Sequence, residues 1–200
     1  MLQIKTPHNN LLLFFQINQR RIEQLLKSAE LSAKEQNFFR QISSEQRKKE
    51  FLSVRAVLNE YFGKKTELLY NTYGAPVLSS NKEFYISISH KKDLAGIMLS
   101  RNNCGMDIEM VENGLAKKVM SKFMCEKDRE VVSDKIPLSG AWSIKESVYK
   151  HHQKGLLDFK RDISFAAVEK DKALVKNKKS GKLLSVRYFI IEEYFVSFIE

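Results

Sequence analysis

The sequence predicts an α+β protein, and three observations carry that expectation. Two long helical runs, residues Glu45–Phe62 and Ser139–His152, fall one in each half of the chain. Each lies beside a meander of short strand-like runs separated by polar turns. Two hundred residues at 43% hydrophobic content suffice for one sizeable core, or for two small lobes sharing one.

In the first half, Leu11–Phe15 is the longest apolar run, and Leu11–Ile17 reads as a buried strand. Ile22, Leu25, Leu26 and Ala29 then recur at helical spacing. Ser32-Ala-Lys-Glu35 is a capping box, in which the Ser oxygen and the Glu carboxylate satisfy free amides at a helix start. Phe51, Val54, Leu58, Tyr61 and Phe62 form the apolar side of the first long helix, and Gly63 stops it. Arg47 and Arg55 lie on neighbouring stripes of this helix and can face one anion. Gly74-Ala-Pro76 signals a turn.

Three strands are expected next, Phe84–His90, Leu94–Ser100 and Cys104–Val111, with turns at Lys91-Lys-Asp93 and Arg101-Asn-Asn103. Tight turns would join them in one meander, Ser89 opposite Ala95 and Ala95 opposite Glu109. Ser87, Ile97 and Asp107 would form the adjacent row, with His90 at the rim. Helical patterns follow at Leu115–Phe123 and Glu126–Val132, and Pro137 precedes the second long helix. The remainder reads as strands at Ile163–Val168, Ala173–Val175, Leu183–Ile191 and Tyr194–Ile199, with a polar turn at Lys176–Lys182. Ser53-Val-Arg-Ala-Val-Leu58 faintly echoes Ser143-Ile-Lys-Glu-Ser-Val148, ninety residues on.

No apolar run approaches the roughly 18 residues needed to span a membrane, and Met1–Lys5 lacks the pattern of a signal peptide. Cys104 and Cys125 have no metal-binding spacing and suit a reducing interior, so a cytoplasmic protein is expected. The net charge of +10 attracts polyanions, for which nucleic acid, a phosphate-rich cofactor and a small acidic protein are all candidates. The basic clusters, Lys117-Lys118 among them, are scattered and lack the aromatic interleaving of a single-strand-binding face.

Two runs carry chemistry. In Gly105-Met-Asp-Ile-Glu109, Asp107 and Glu109 sit two apart in a strand and share one face. In Trp142-Ser-Ile-Lys-Glu-Ser-Val-Tyr-Lys150, Glu146 and Lys150 are one helical turn apart. Three carboxylates and a lysine suit a divalent cation and a pyrophosphate. Singly, each piece has a plainer reading: a charged strand edge for Asp107 and Glu109, a surface ion pair for Glu146 and Lys150. Lys145 falls inside the helix's apolar arc, so it must snorkel outward or meet an anion.

Taken in order, the motifs Gly74-Ala-Pro76, Ser87-Ile-Ser-His90, Gly105-Met-Asp-Ile-Glu109 and Trp142–Lys150 resemble those of the 4′-phosphopantetheinyl transferases. The likeness is to the surfactin-synthetase-activating type, a pseudodimer of two α+β lobes, which here would be residues 1–100 and 101–200 with the site between them. The resemblance spans about residues 45–165 by motif. It departs at Ala75, where the family usually has lysine against the coenzyme.

The resemblance implies transfer of 4′-phosphopantetheine from coenzyme A to a serine of an acidic apo-carrier protein, as a holo-acyl-carrier-protein synthase does. It implies Asp107, Glu109 and Glu146 as ligands of Mg²⁺, with Mn²⁺ the alternative, and Glu146 and Lys150 as catalytic groups. Coenzyme contacts fall on Arg47, Arg55, Gly74, Pro76, Ser87, Ser89, His90, Lys145 and Lys150. A built-in pseudodimer suggests a monomer, with neither nucleic acid nor membrane as partner. Two rival readings are a binder of coenzyme A and carrier protein that has lost turnover, and a basic nucleic-acid binder.

Overall fold

A computed structural model of the chain describes residues 1–112 and 114–199, with the side chains of residues 115–117 outside that description. Lys117 of the Lys117-Lys118 pair therefore lies outside the described side chains. The first 100 residues contribute β1 (Leu2–Lys5), β2 (Leu11–Gln16), α1 (Ile22–Ala29), α2 (Ala33–Arg40) and α3 (Glu45–Phe62). A short hairpin, β3 (Leu68–Tyr70) with β4 (Pro76–Leu78), precedes β5 (Tyr85–Lys91) and β6 (Leu94–Ser100). The rest contributes β7 (Met106–Met110), α4 (Gly114–Phe123), α5 (Glu126–Val132) and α6 (Leu138–His152). It ends in β8 (Ile163–Val168), β9 (Lys172–Asn177), β10 (Lys182–Ile191) and β11 (Tyr194–Ile199).

The strands build two sheets, ordered β1-β2-β6-β5 and β7-β11-β10-β9-β8, beside the β3-β4 pair. Alternation along each strand divides its side chains between a helix and the other sheet. Leu11, Leu13, Ala95 and Ile97 face α3, meeting Val54, Val57 and Leu58. The other faces of these strands, Leu12, Phe14 and Met98, pack on Met106, Ile108, Val196 and Phe198 of the second sheet. Phe195 and Ile199 look outward to Ala141, Ile144 and Val148 of α6. The layers therefore run α3, first sheet, second sheet, α6. No helix of the described residues is long and apolar enough to cross a membrane.

Ser44 caps the start of α3 by accepting from the Arg47 amide, and Gly63 ends it in the left-handed region, as expected. The Ser32–Glu35 capping box also forms.

The three-stranded meander is overturned. A two-residue turn, Lys92-Asp93, sets Lys91 opposite Leu94, so Ser89 lies opposite Gly96 rather than Ala95. β7 leaves the sheet and pairs with β11, Asp107 opposite Ser197 and Glu109 opposite Phe195. Burial explains both changes. Ala95 and Ile97 belong to the core under α3, and the expected row would have driven Asp107 into that apolar layer, where an unpaired charge is prohibitive. Moving β7 to the second sheet puts Met106 and Ile108 between the sheets and its carboxylates on the α6 side.

Candidate active site

The edge strands β5 and β7 of the two sheets run side by side, and serine hydroxyls bridge them. Ser87 Oγ accepts from the Met106 amide at 2.9 Å, and Ser89 Oγ accepts from the Ile108 amide at 3.1 Å. Ser89 also donates to Asp107 Oδ1 at 2.8 Å. Both serines are buried. Ser89 thus meets Asp107 and Ser87 meets the β7 backbone, both forming the joint between sheets rather than part of the one sheet face expected.

Gly105 sets the distance from β7 to α6. A Cβ at this position would lie 2.0 Å from the Ser147 carbonyl oxygen and 2.7 Å from the His151 amide nitrogen. The absence of a side chain lets the strand begin against the helix backbone, which brings Asp107 under the last turns of α6. Lys150 Nζ then donates to Asp107 Oδ1 at 2.7 Å, and Lys91 Nζ lies 2.7 Å from Glu109 Oε2.

Asp107 is 5% exposed, and its Oδ2 is buried with no hydrogen-bond partner. Glu146, on α6, has its pKa pushed up to about 7, first by burial and then by the negative charge of Asp107, while Lys150 pulls it down. An orphaned carboxylate oxygen and a carboxyl destabilised by its neighbours are what an oxygen-ligated divalent cation would relieve, so the donor chemistry fits such an ion. Among the described residues, no three His, Cys, Asp or Glu side chains are already gathered into a closed metal cage.

A cleft of about 330 Å³ opens over this point. Glu146 and Lys150 line one wall, Arg47 and His90 another, and Gly74, Ala75 and Pro76 a third, with Tyr70, Tyr73 and Tyr149 supplying aromatic surface. Burial holds His90 below its usual pKa, against the opposing pull of Glu50. The Gly74 turn is built by Asn71, whose Oδ1 accepts from the amides of Tyr73 and Ala75 at 2.8 and 3.0 Å. Its Nδ2 reaches the Gln153 carbonyl at 3.3 Å, tying the turn to the end of α6. Gly74 has φ +80°, which L side chains rarely adopt.

Two expected coenzyme contacts are not brought to an open anion site. Lys145 is 0% exposed, and its ammonium donates to Asp128 Oδ2 at 2.6 Å and to the carbonyls of Phe123, Phe159 and Ile163. The anion that its place in the apolar arc demanded is a carboxylate of the protein's own α5. Arg55 is likewise buried, bonded to Glu35 at 2.7 Å and to the carbonyls of Phe51 and Leu68. Its guanidinium lies under a second cavity of about 420 Å³, continuous with the first through Arg47, Tyr70, Gly74, Ile88 and His90. Sequence reasoning missed Asn71, Lys91 and Glu50. The polar turn preceding Gly74 was a usable signal for the first; the other two resemble ordinary surface charges.

With this geometry in hand, the comparison with known families is specific. Residues 103–198 match the model of the 4′-phosphopantetheinyl transferase superfamily. That span is just under half of the chain and holds Asp107, Glu109, Glu146 and Lys150. The similarity to this superfamily supports a transferase of the phosphopantetheinyl type. Arg47, the Gly74 turn and His90 lie outside the matched span. No curated protein matches the chain.

Proposed function

We propose that this chain is a pseudodimeric 4′-phosphopantetheinyl transferase, with lobes 1–100 and 101–200, that loads coenzyme A's phosphopantetheine onto a serine of an apo-carrier protein. The observation that carries the reading is that Glu146 and Lys150 line one cleft while Lys150 bonds to the buried Asp107, all three inside the span matched by that superfamily. A basic surface suits an acidic carrier, and we place the protein in the cytoplasm as a monomer.

In the reaction, the carrier serine oxygen bonds to the phosphorus that bears pantetheine. The bond from that phosphorus to the bridging oxygen breaks, and adenosine 3′,5′-bisphosphate leaves. Glu146 takes the serine proton: in the metal-free protein, burial and the charge of Asp107 raise its pKa and make it a stronger base than an ordinary carboxylate. Lys150 neutralises the leaving phosphate. Asp107, Glu109 and Glu146 would hold Mg²⁺ or Mn²⁺, which supplies positive charge to the pyrophosphate oxygens. Arg47 and His90 receive the coenzyme's 3′-phosphate, and the Gly74–Pro76 turn borders the nucleotide.

The test is direct. The protein is mixed with coenzyme A, Mg²⁺ and an apo-carrier, and the carrier's mass is followed. A gain of one phosphopantetheine is expected. Coenzyme binding without any mass gain across fatty-acid, polyketide and peptide carriers would favour the binder reading instead.

A further inference from the structure

Glu50 occupies an unexpected place. It lies on α3, one turn beyond Arg47, and reads in sequence as a solvated helix charge. Its side chain is instead nearly buried, and a single oxygen, Oε2, lies 3.0 Å from Arg47 Nη1 and 2.9 Å from His90 Nε2. Arg47 Nη1 and His90 Nε2 are themselves 3.3 Å apart. Its other oxygen accepts from Gln46 Nε2 at 3.4 Å, and that amide also reaches the Lys92 carbonyl, fastening the start of α3 to the β5–β6 turn.

The chemistry of these contacts restricts the histidine. Arg47 Nη1 can only donate, and the carboxylate can only accept. A bare Nε2 could accept from Arg47 Nη1 at 3.3 Å, but only with its lone pair turned on the nearer carboxylate oxygen at 2.9 Å, so the shorter contact favours hydrogen on Nε2. Glu50 thereby selects one His90 tautomer and anchors one edge of the guanidinium. The rest of the Arg47 side chain, 64% exposed, is left for a ligand. A charge-assisted contact of this kind pre-organises a receptor whose long arginine would otherwise lose conformational freedom on binding.

We infer that Glu50 is a positioning residue that clamps Arg47 and His90 into one receptor selective for a phosphomonoester. This rests on the reading that Arg47 and His90 meet the coenzyme's 3′-phosphate. Glu50 itself touches no ligand; removing its negative charge loosens the receptor rather than strengthening it.

The experiment uses the full chain without metal or carrier. Adenosine 3′,5′-bisphosphate and adenosine 5′-monophosphate are titrated calorimetrically into wild type, Glu50→Gln and Arg47→Ala. Losing a charge-assisted contact predicts bisphosphate affinity down about tenfold in Glu50→Gln and monophosphate affinity changed less than about twofold. Arg47→Ala should show the same selectivity loss. Bisphosphate binding that is unchanged or tighter in Glu50→Gln would make Glu50 a spectator or a competitor and overturn the clamp. Equal losses for both ligands would overturn it too. If wild type and Arg47→Ala fail to distinguish the ligands, the phosphate reading falls. The His90 tautomer, read from nitrogen shifts of the free protein, then decides the clamp alone. A shift away from hydrogen on Nε2 in Glu50→Gln supports the clamp, and an unchanged tautomer refutes it.

Discussion

Lys150 Nζ lies 2.7 Å from Asp107 Oδ1, joining residues forty-three positions apart across the seam between β7 and α6. Asp107's other oxygen is buried without a partner, so the lysine balances only part of that carboxylate's demand. The same lysine lowers the pKa of Glu146 while Asp107 raises it. Altering either neighbour therefore resets the Glu146 carboxyl.

Activity in Lys150→Ala should fall about a hundredfold or more in kcat, the scale of a lost proton-transfer or charge-stabilising group. Its acid limb should also move. Lys150 holds the Glu146 pKa down, so without it the acid limb should lie at a higher pH than in wild type. Glu146→Gln should lose a similar amount and flatten that limb, with added Mg²⁺ giving no rescue. Full activity in Glu146→Gln would remove it as the base. The pH–rate profiles of the three proteins at saturating coenzyme make the comparison.

Stability gives an independent reading of Glu146. Its folded-state pKa is raised from 4.5 to about 7, so between those values the folded protein binds more protons than the unfolded chain. Stability from this group therefore decreases as pH rises from about 4.5 to about 7, by up to about 3 kcal/mol. Glu146→Gln lacks that penalty. In the presence of chelator, its denaturation midpoint should exceed wild type's at pH 8 and the difference should shrink towards pH 4.5. A constant difference across pH would show that burial of Glu146 is not felt as charge.

Much of this arrangement was legible because period-2 and period-3.6 patterns survive tertiary packing. Asp107 and Glu109 share a face of β7, and α3 runs over the expected Glu45–Phe62. Partner choice was not legible. β7 finds β11 through residues nearly ninety positions later, and nothing in the Arg101-Asn-Asn103 turn announces that crossing. Lys145 was legible as a conflict, a charge on an apolar arc, but its resolution lies on α5. Glu50 was hidden because a helix charge looks solvated until β5 sets His90 against it. The three-residue strands of the β3–β4 hairpin are too short to show a period.

Gly105→Ala should be among the most damaging small substitutions in the chain. The added methyl would meet backbone atoms, the Ser147 oxygen at 2.0 Å and the His151 nitrogen at 2.7 Å, which no rotamer change can relieve. Separating β7 from α6 should cost about 3 kcal/mol or more. Activity in the surviving fold should drop as well, because Asp107 and Lys150 move apart. Urea titration and carrier loading test this. Gly114→Ala, where an added methyl meets nothing within 4 Å, is the matched control and should lose neither.

Lys145 distinguishes a scaffold role from a ligand contact. Its ammonium is fully buried on Asp128 and three carbonyls, joining the end of α4, the start of α5, the segment before β8 and β8 itself to the helix that carries Glu146. Lys145→Met leaves Asp128 buried beside an apolar chain, and breaking such a pair from one side typically costs about 3–5 kcal/mol. Asp128 also accepts from the Phe165 amide at 2.9 Å, so Asp128→Asn keeps an oxygen there while removing the charge. The double variant Lys145→Met/Asp128→Asn should therefore recover part of the stability lost in the single lysine variant. The lost carbonyl contacts keep the recovery incomplete. If the role is structural, coenzyme A affinity measured on folded protein at low temperature should match wild type in both variants. Affinity that falls in the double variant despite restored stability would instead put Lys145 in contact with the coenzyme.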